Sequence, residues 1–215
     1  MKQSRSNSGI FSIAIAIAVA LLGALVSARA GEGPGNAAAS AQMMIANVCE
    51  ACHGKYGNST NPSVPSLAGQ GSAYLQKQLA AFQAQRRVGV MSGIAMTLST
   101  TEIRDAARYF SAQIPQGNPL QASDSAPSGR GAAIYDEGIA ATQVPACASC
   151  HALDGAGLPP EFPRLAGQQS RYVADQLRAF RSDSRLGVNA MMHKVSVGLT
   201  DREITAVADY ISGLR

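Results

Sequence analysis

The sequence predicts an all-α protein with two similar small domains, and three observations lead to this prediction. Apolar residues recur at helical spacing in several segments, whereas the alternating pattern typical of strands is nearly absent. Residues 31–113 and 128–215 resemble each other along their length, which indicates an internal repeat. A segment with three prolines, 114–127, separates the two copies and is typical of an extended linker.

The first 30 residues have the pattern of a secretory leader. Lys2 and Arg5 give a basic start, residues 10–26 are apolar, and residues 28–30 (ARA) fit a small-residue cleavage site. We therefore expect residues 1–30 to be a cleaved signal peptide and the rest of the chain to be exported. The apolar run approaches membrane-spanning length, so the alternative is an uncleaved anchor that holds the protein at the membrane surface.

The charge distribution disfavours nucleic acid as a partner. After removal of the leader, 15 basic residues remain against 14 acidic ones. The charges are mixed along both copies, and no basic stripe or patch of the kind that binds nucleic acid stands out. A mixed, solvated surface is the expected result.

The internal repeat aligns when His53 is placed on His151, an offset of 98 residues. Three residues inserted in the second copy then change the offset to 101. The matched features are SLAGQ (66–70) with RLAGQ (164–168), Tyr74 with Tyr172, Met91 with Met192, and Tyr109 with Tyr210. Two copies of this length indicate a tandem duplication rather than a solenoid.

Each copy is expected to contain helices joined by long loops. A short helix, over 38–48 in the first copy and 129–138 in the second, should run into a cysteine motif. A further helix is predicted over 72–85, with Ser72 as its N-cap. Capping boxes predict the start of the last helix in each copy: Ser99 with Glu102, and Thr200 with Glu203.

All four cysteines and two of the three histidines belong to two copies of Cys-x-x-Cys-His. Redox disulfides would leave the repeated histidine unexplained, and a thioredoxin-like site needs a strand–helix setting that the sequence lacks. An adjacent Cys-His pair is poorly spaced for zinc, and iron–sulfur clusters usually take four cysteines. Covalent haem c fits, because this motif supplies two thiols for the porphyrin and an imidazole for the iron. The sequence therefore predicts two haem c groups, attached through Cys49 and Cys52 and through Cys147 and Cys150, with His53 and His151 as iron ligands.

The second axial ligand decides what such a haem can do, since an open face permits catalysis whereas a methionine is typical of electron carriers. Met91 and Met192 lie at equivalent points of the repeat, and we predict them to be the second ligands. His193 competes in the second copy, but its counterpart in the first copy is Ser92. Met96 aligns with a valine and is expected to be a core residue.

Two prolines are expected to orient the axial histidines. Pro65 and Pro163 each lie twelve residues after the histidine of their motif. An axial histidine normally donates its second ring N–H to a carbonyl group, and these residues could present that carbonyl.

These features together resemble the cytochrome c4 family, which has tandem class I cytochrome c domains. After the haem motifs, the most specific stretches are VPSLAGQGSAYLQKQL (64–79) and FPRLAGQQSRYVADQL (162–177), and the resemblance covers 40–215. It implies two domains related by a pseudo-twofold axis, each wrapped around a covalent haem, with the haems close across the interface and both irons ligated by histidine and methionine. It also implies a periplasmic electron carrier that connects a quinol-oxidising complex with a terminal oxidase.

One departure from the family pattern concerns the crossing of the first and last helices. Class I domains usually place a glycine there. The second copy has Gly131, with Tyr135 one turn later, whereas the first copy has Ala41 and Ile45. The contact between these helices is therefore expected more strongly in the second copy.

Three alternatives to a free carrier stay open at this stage. A diheme cytochrome subunit of a periplasmic dehydrogenase, as in sulfide-oxidising flavocytochromes, has the same fold and ligands but a permanent partner. A diheme enzyme, such as a peroxidase or a thiosulfate dehydrogenase, requires an open or differently ligated haem. A sensor or scaffold is disfavoured by two sites of the carrier type, so the prediction is an electron-transfer protein and not an enzyme.

Overall fold

The computed structural model describes residues 34–117, 129–185 and 190–215 of the chain. The predicted signal peptide, 1–30, and most of the predicted linker lie outside the described residues. The segment Ala41–Arg215, which holds both cysteine motifs, forms one compact unit. Among the helices of the described ranges, none combines the length and the apolar character needed to span a bilayer.

The described part of the chain contains helices but no strand, apart from two isolated bridges. The all-α prediction is therefore confirmed. The helices of the first domain are α1 (Pro34–Met44), a π-helical turn (Ile45–Cys49), α2 (Glu50–His53), α3 (Ser72–Gln83), α4 (Val90–Thr97) and α5 (Thr100–Ser111). Those of the second are α6 (Gly129–Glu137), α7 (Ala148–His151), α8 (Ser170–Arg181), α9 (Ala190–Val197) and α10 (Asp201–Gly213).

In the first domain a continuous helical segment leads into the cysteine motif. The π-helical turn and α2 follow α1 directly, so the segment reaches His53. It ends at Gly54, whose φ of +76° favours glycine. A Cβ atom on Gly54 would lie 2.2 Å from the carbonyl oxygen of Asn58, so no larger residue fits this turn. The prediction of a helix entering the first motif is confirmed.

In the second domain the helix predicted over 129–138 is present, but the prediction that it runs into the cysteine motif is wrong. Helix α6 ends at Glu137, and a loop separates it from the second motif. Gly138 has a φ of +78°, and a Cβ atom there would lie 2.3 Å from the carbonyl oxygen of Val144. The chain folds back at this point and forms a bridge between Ile139 and Val144. The tight turn at Gly138 is the physical reason why the helix stops.

The predicted capping boxes are confirmed at the last helix of each domain. The Ser99 and Thr200 hydroxyls each accept a hydrogen bond, 3.3 Å long, from the backbone N–H of the glutamate three residues later. The glutamate carboxylates accept from the backbone N–H groups of Ser99 (2.8 Å) and Thr200 (3.0 Å) in return. Ser72 is not an N-cap, since Gly71 holds that position and Ser72 is the first residue of α3.

The two domains cross their first and last helices in different ways. In the second domain a Cβ atom on Gly131 would lie 2.3 Å from the Ala206 carbonyl oxygen, so only glycine allows α6 to approach α10 this closely. In the first domain Ala41 takes the place of Gly131, and the buried Ile45 one turn later belongs to an apolar cluster with Ala106 and Phe110 of α5.

Reciprocal hydrogen bonds join the domains through the repeated LAGQ stretches. Gln70 donates from Nε2 to the Arg164 carbonyl (3.0 Å), and its Oε1 accepts from the Arg164 backbone N–H (2.9 Å). Gln168 makes the same pair of bonds with the backbone of Ser66, at 3.0 and 2.8 Å. Each glutamine therefore binds the residue that starts the partner stretch. We refer to Ser66, Gln70, Arg164 and Gln168 as the interdomain clasp.

Candidate functional site

Both motif histidines are buried and held in a fixed orientation. His53 donates from Nδ1 to the Pro65 carbonyl oxygen at 2.8 Å, and His151 donates from Nδ1 to the Pro163 carbonyl oxygen at 2.9 Å. These bonds fix the ring tautomer and leave Nε2 with its lone pair free to bind a metal. The two domains repeat this arrangement with nearly the same geometry.

Burial also sets the protonation state of the histidine rings. It lowers the pKa of both His53 and His151 below the usual value, and the hydrogen bonds to the proline carbonyls oppose this effect only in part. A buried imidazole is costly to charge, so the neutral form is favoured. The neutral imidazole is the form that binds metal ions.

The four motif cysteines are free thiols in this structure. Burial, together with the neighbouring Glu50 carboxylate, raises the pKa of Cys49 to about 11. Burial raises the pKa of Cys147 to about 11 as well. Both thiols are therefore protonated at neutral pH. Thiols that can be added to an unsaturated carbon are the groups that a covalent haem requires.

A cavity of about 770 Å³ extends along both motifs. Apolar side chains of both domains, including Leu75, Phe82, Leu177 and Phe180, form much of its wall. Because ligand sites are typically apolar concavities with a few placed polar groups, this cavity suits a large flat apolar cofactor. All the predicted thiol and axial residues contribute to its lining: Cys49, Cys52, His53, Met91, Cys147, Cys150, His151 and Met192. The donor set and the apolar lining therefore fit haem c.

The methionines differ in their positions relative to the cavity. Met91, in the first turn of α4, and Met192, in α9, both line it, and Met192 also packs against the core of the second domain. Met191 lines the cavity too but is 50% exposed. Met96 is 60% exposed, so the expectation that it is a core residue is wrong.

His193, the rival ligand in the second domain, is held by other groups. Its Nδ1 lies 2.8 Å from the Phe180 carbonyl oxygen and 3.0 Å from Oδ1 of Asp183. His193 itself does not belong to the set of residues that line the cavity with Met192. This placement favours Met192 over His193.

A group of polar side chains between the domains was not predicted from the sequence. Arg87 and Arg185 stand at the same position of the repeat, offset by 98 residues, and both are buried and line the cavity. The sequence signal that could have revealed this group is the repetition of polar residues at the same offset of 98, next to the apolar faces of the helices. The other repeated members of the group are Tyr74, Gln78, Tyr172 and Gln176.

Helical domains with buried, carbonyl-bound motif histidines and cavity-lining methionines define the class I cytochromes c, here as a tandem pair. The cytochrome c family profile matches residues 128–215. Cytochrome c4 of Azotobacter vinelandii is 38% identical over 189 residues, covering 82% of this chain and 89% of that protein. The chain belongs to the cytochrome c4 family. It is therefore an electron-transfer cytochrome that binds haem c.

Two further comparisons extend this assignment. A thiosulfate dehydrogenase electron acceptor of Thiomonas intermedia is 36% identical over 200 residues, covering 91% of this chain and 89% of that protein. The crystal structure of reduced recombinant cytochrome c4 from Pseudomonas stutzeri matches with a TM-score of 0.71 and 34% identity, covering 83% of this chain and 98% of that one. The tandem class I fold predicted from the sequence is thereby confirmed.

Proposed function

We propose that this chain is a periplasmic diheme electron carrier that takes electrons from a quinol-oxidising complex and passes them to a terminal oxidase. The observation that supports this proposal is the duplicated site. In each domain a buried, hydrogen-bonded histidine and a methionine line the same apolar cavity. A site with two protein ligands leaves no open coordination position, so the chain is a carrier and not an enzyme.

The residues of each domain have distinct roles in this proposal. Haem c, when bound, supplies an iron that gains and loses one electron. Cys49 and Cys52 would hold one haem through thioether bonds, and Cys147 and Cys150 would hold the other. His53 and Met91 would hold the iron of the first haem, and His151 and Met192 would hold the iron of the second. Pro65 and Pro163 keep the imidazoles in place, so the coordination changes little between oxidation states.

The domain organisation is part of the same proposal. Residues 1–30 are the signal peptide, 31–113 and 128–215 are the two haem domains, and 114–127 are the linker. The repeat supports these boundaries because equivalent features keep a fixed offset up to the inserted residues of the second copy. Export agrees with haem c attachment, which is completed outside the cytoplasm.

A second electron donor is favoured by one comparison. A relative with 36% identity is named as the electron acceptor of a thiosulfate dehydrogenase. A carrier of this fold can accept electrons from a soluble dehydrogenase through the same kind of small, transient contact that it makes with a membrane complex. In this alternative the dehydrogenase is the partner, and the present chain still has no catalytic site of its own.

The ligand assignment is tested with purified full-length holoprotein. We expect two haems per chain, a methionine-to-iron charge-transfer band of two-haem intensity, and no carbon monoxide binding by the reduced protein. Met91→Ala and Met192→Ala should each remove half of the band, whereas the exposed control Met96→Ala should keep it. Ready binding of carbon monoxide to the native reduced protein, at either centre, would overturn the carrier assignment.

The partners are tested by stopped-flow reduction of the oxidised protein. One arm supplies a quinol-oxidising complex in membranes with quinol, and the other supplies thiosulfate dehydrogenase with thiosulfate. Fast reduction in the first arm alone supports the respiratory route, and fast reduction in the second alone supports the thiosulfate route. Reduction in neither arm contradicts both donors and leaves the ligand assignment intact.

A further inference from the structure

Two arginines occupy equivalent buried positions on opposite sides of the boundary between the domains. Arg87 is 9% exposed and Arg185 is 7% exposed. Each follows the long helix of its own domain, α3 or α8, and each guanidinium stacks on a phenylalanine of that helix. The distances to the ring centroids are 4.5 Å for Arg87 over Phe82 and 4.4 Å for Arg185 over Phe180.

Two hydrogen bonds of each arginine cross between the domains, and Arg87 also donates through Nη1 to Gln78 Oε1 of its own domain at 2.7 Å. Arg87 donates through Nη2 to the Tyr172 hydroxyl and to Gln176 Oε1, both at 2.9 Å. Arg185 donates through Nη2 to the Tyr74 hydroxyl at 3.0 Å and to Gln78 Oε1 at 2.9 Å. Each guanidinium is therefore supplied by one domain and held by the other.

The positive charges of the two arginines are not balanced by a carboxylate within the part of the chain that the structure describes. Their partners there are neutral amides and phenols. Glu161, an acidic residue of the cavity wall, is exposed and forms no ion pair with either arginine. Burying a cation is costly unless an anion accompanies it, so the arrangement calls for a negatively charged group.

Unused donors point in the same direction. Arg185 Nε and Gln78 Nε2 are buried and have no hydrogen-bond partner among the described residues. Both residues line the cavity that also contains the two haem motifs. A guanidinium with spare N–H groups recognises a carboxylate by paired, charge-assisted hydrogen bonds.

We propose that Arg87 and Arg185 form an interdomain carboxylate site that binds propionate groups of the two haems. Haem c would supply the missing negative charge, because every haem carries two propionate carboxylates. The inference rests on the proposed function in one respect, namely that both domains carry haem. Since each arginine is held by the opposite domain, haem binding and domain association stabilise each other at this site.

The expected electrical consequence has a definite sign. A cation near the iron disfavours the ferric state, which is the more positively charged one. Loss of either arginine should therefore stabilise ferric haem and lower the reduction potential. A residue that only holds the two domains together would change the stability of the protein without a potential shift of this sign.

The test compares Arg87→Gln and Arg185→Gln with Arg86→Gln in full-length holoprotein. Arg86 is the adjacent, exposed residue, so its variant makes the same charge change in nearly the same place. Haem content and the methionine charge-transfer band are measured first, and then the potentials are measured by spectroelectrochemical titration in phosphate-free buffer. At a fixed electrode potential we expect the ferrous-to-ferric ratio of at least one haem to fall about tenfold relative to Arg86→Gln. For a one-electron couple this corresponds to about 59 mV.

The outcomes separate the inference from the proposed function. Equal potentials in Arg87→Gln, Arg185→Gln and Arg86→Gln would overturn the carboxylate site while two haems per chain leave the carrier proposal standing. Fewer than two haems in the unaltered protein would contradict the proposed function instead. Added inorganic phosphate provides a further check. If phosphate changes the reduction potential of the unaltered protein and of Arg86→Gln, but not that of Arg87→Gln or Arg185→Gln, the site binds free anions and the proposal is wrong.

A second measurement avoids any variant that fails to fold. In the unaltered protein labelled with ¹⁵N-arginine, two buried guanidinium Nε–H signals should exchange slowly and shift between the ferric and ferrous states. Arg87→Lys, which keeps the charge but loses the planar donor pair, should remove one of these signals and identify it. The absence of any arginine signal that responds to oxidation state would also contradict the proposal.

Discussion

Replacing Gln70 by alanine tests whether the clasp holds the two domains together. The Gln70 side chain is 6% exposed and makes two hydrogen bonds to the backbone of Arg164. Each buried hydrogen bond contributes about 0.5–1.5 kcal/mol net, and a backbone group that is left unpaired costs about 1–3 kcal/mol. We therefore expect Gln70→Ala to lower the free energy of unfolding by about 2 kcal/mol.

The equivalent residue provides an internal replicate. Gln168→Ala removes the matching pair of bonds to Ser66 and should have the same effect. The double variant should lose about 3–4 kcal/mol, with some departure from additivity because the two glutamines belong to one contact region. In a protein of this size each kilocalorie corresponds to about 2–4 °C in the thermal midpoint.

The assay is denaturant unfolding of holoprotein, followed by circular dichroism and by haem absorbance. Gln116→Ala is the matched control, because the Gln116 residue is exposed. The domains of the double variant should also unfold in two separate transitions. If Gln70→Ala and Gln168→Ala both lie within about 0.5 kcal/mol of the control, the clasp does not stabilise the interface and the reasoning is wrong.

Three other predictions concern the individual domains. Gly131→Ala should destabilise the second domain by at least about 2 kcal/mol in denaturant unfolding, because the new Cβ atom would lie 2.3 Å from a carbonyl oxygen of α10. Gly129→Ala is the control and should be tolerated, since a Cβ atom there would have nothing within 4 Å. Thr200→Ala should cost about 1 kcal/mol at neutral pH through loss of the N-cap. Hydrogen bonds from Thr200 and the Arg130 guanidinium lower the pKa of Glu203 below its ordinary 4.5. The stabilisation by the ionised Glu203 carboxylate therefore exists above about pH 4.5 and is lost as the pH falls. Thermal midpoints measured between pH 3 and 7 should depend less on pH in Thr200→Ala than in the unaltered protein. Chain produced without haem attachment should fold poorly, as a ligand bound only by the native state stabilises that state, and native-like circular dichroism of the haem-free chain would contradict this.

The features that local sequence signals determine could be predicted. The capping boxes need only residues three positions apart, and the Cys-x-x-Cys-His motifs carry their chemistry within five residues. The proline carbonyls that accept hydrogen bonds from His53 and His151 could also be predicted, since both copies keep the same spacing between the histidine and the proline. In each case the relevant partner lies nearby in the chain or at a repeated spacing.

Features that depend on distant contacts were missed. The stop of α6 depends on the left-handed turn at Gly138 and the bridge that follows it, which no helical periodicity reveals. Met96 has the residue type of the core but lies on the exposed side of α4. The partners of Arg87 and Gln70 lie in the other domain, so the repeat showed that these positions are duplicated but not which surfaces meet.

The reciprocal nature of the clasp bears on how a duplicated chain is assembled. The same stretch serves as donor and recipient in both halves, as happens at an isologous interface between two identical subunits. A single unduplicated copy would therefore already carry both sides of the contact and could pair with a second molecule of itself. Joining the copies in one polypeptide makes that pairing intramolecular, so it no longer depends on protein concentration, and each half is then free to diverge.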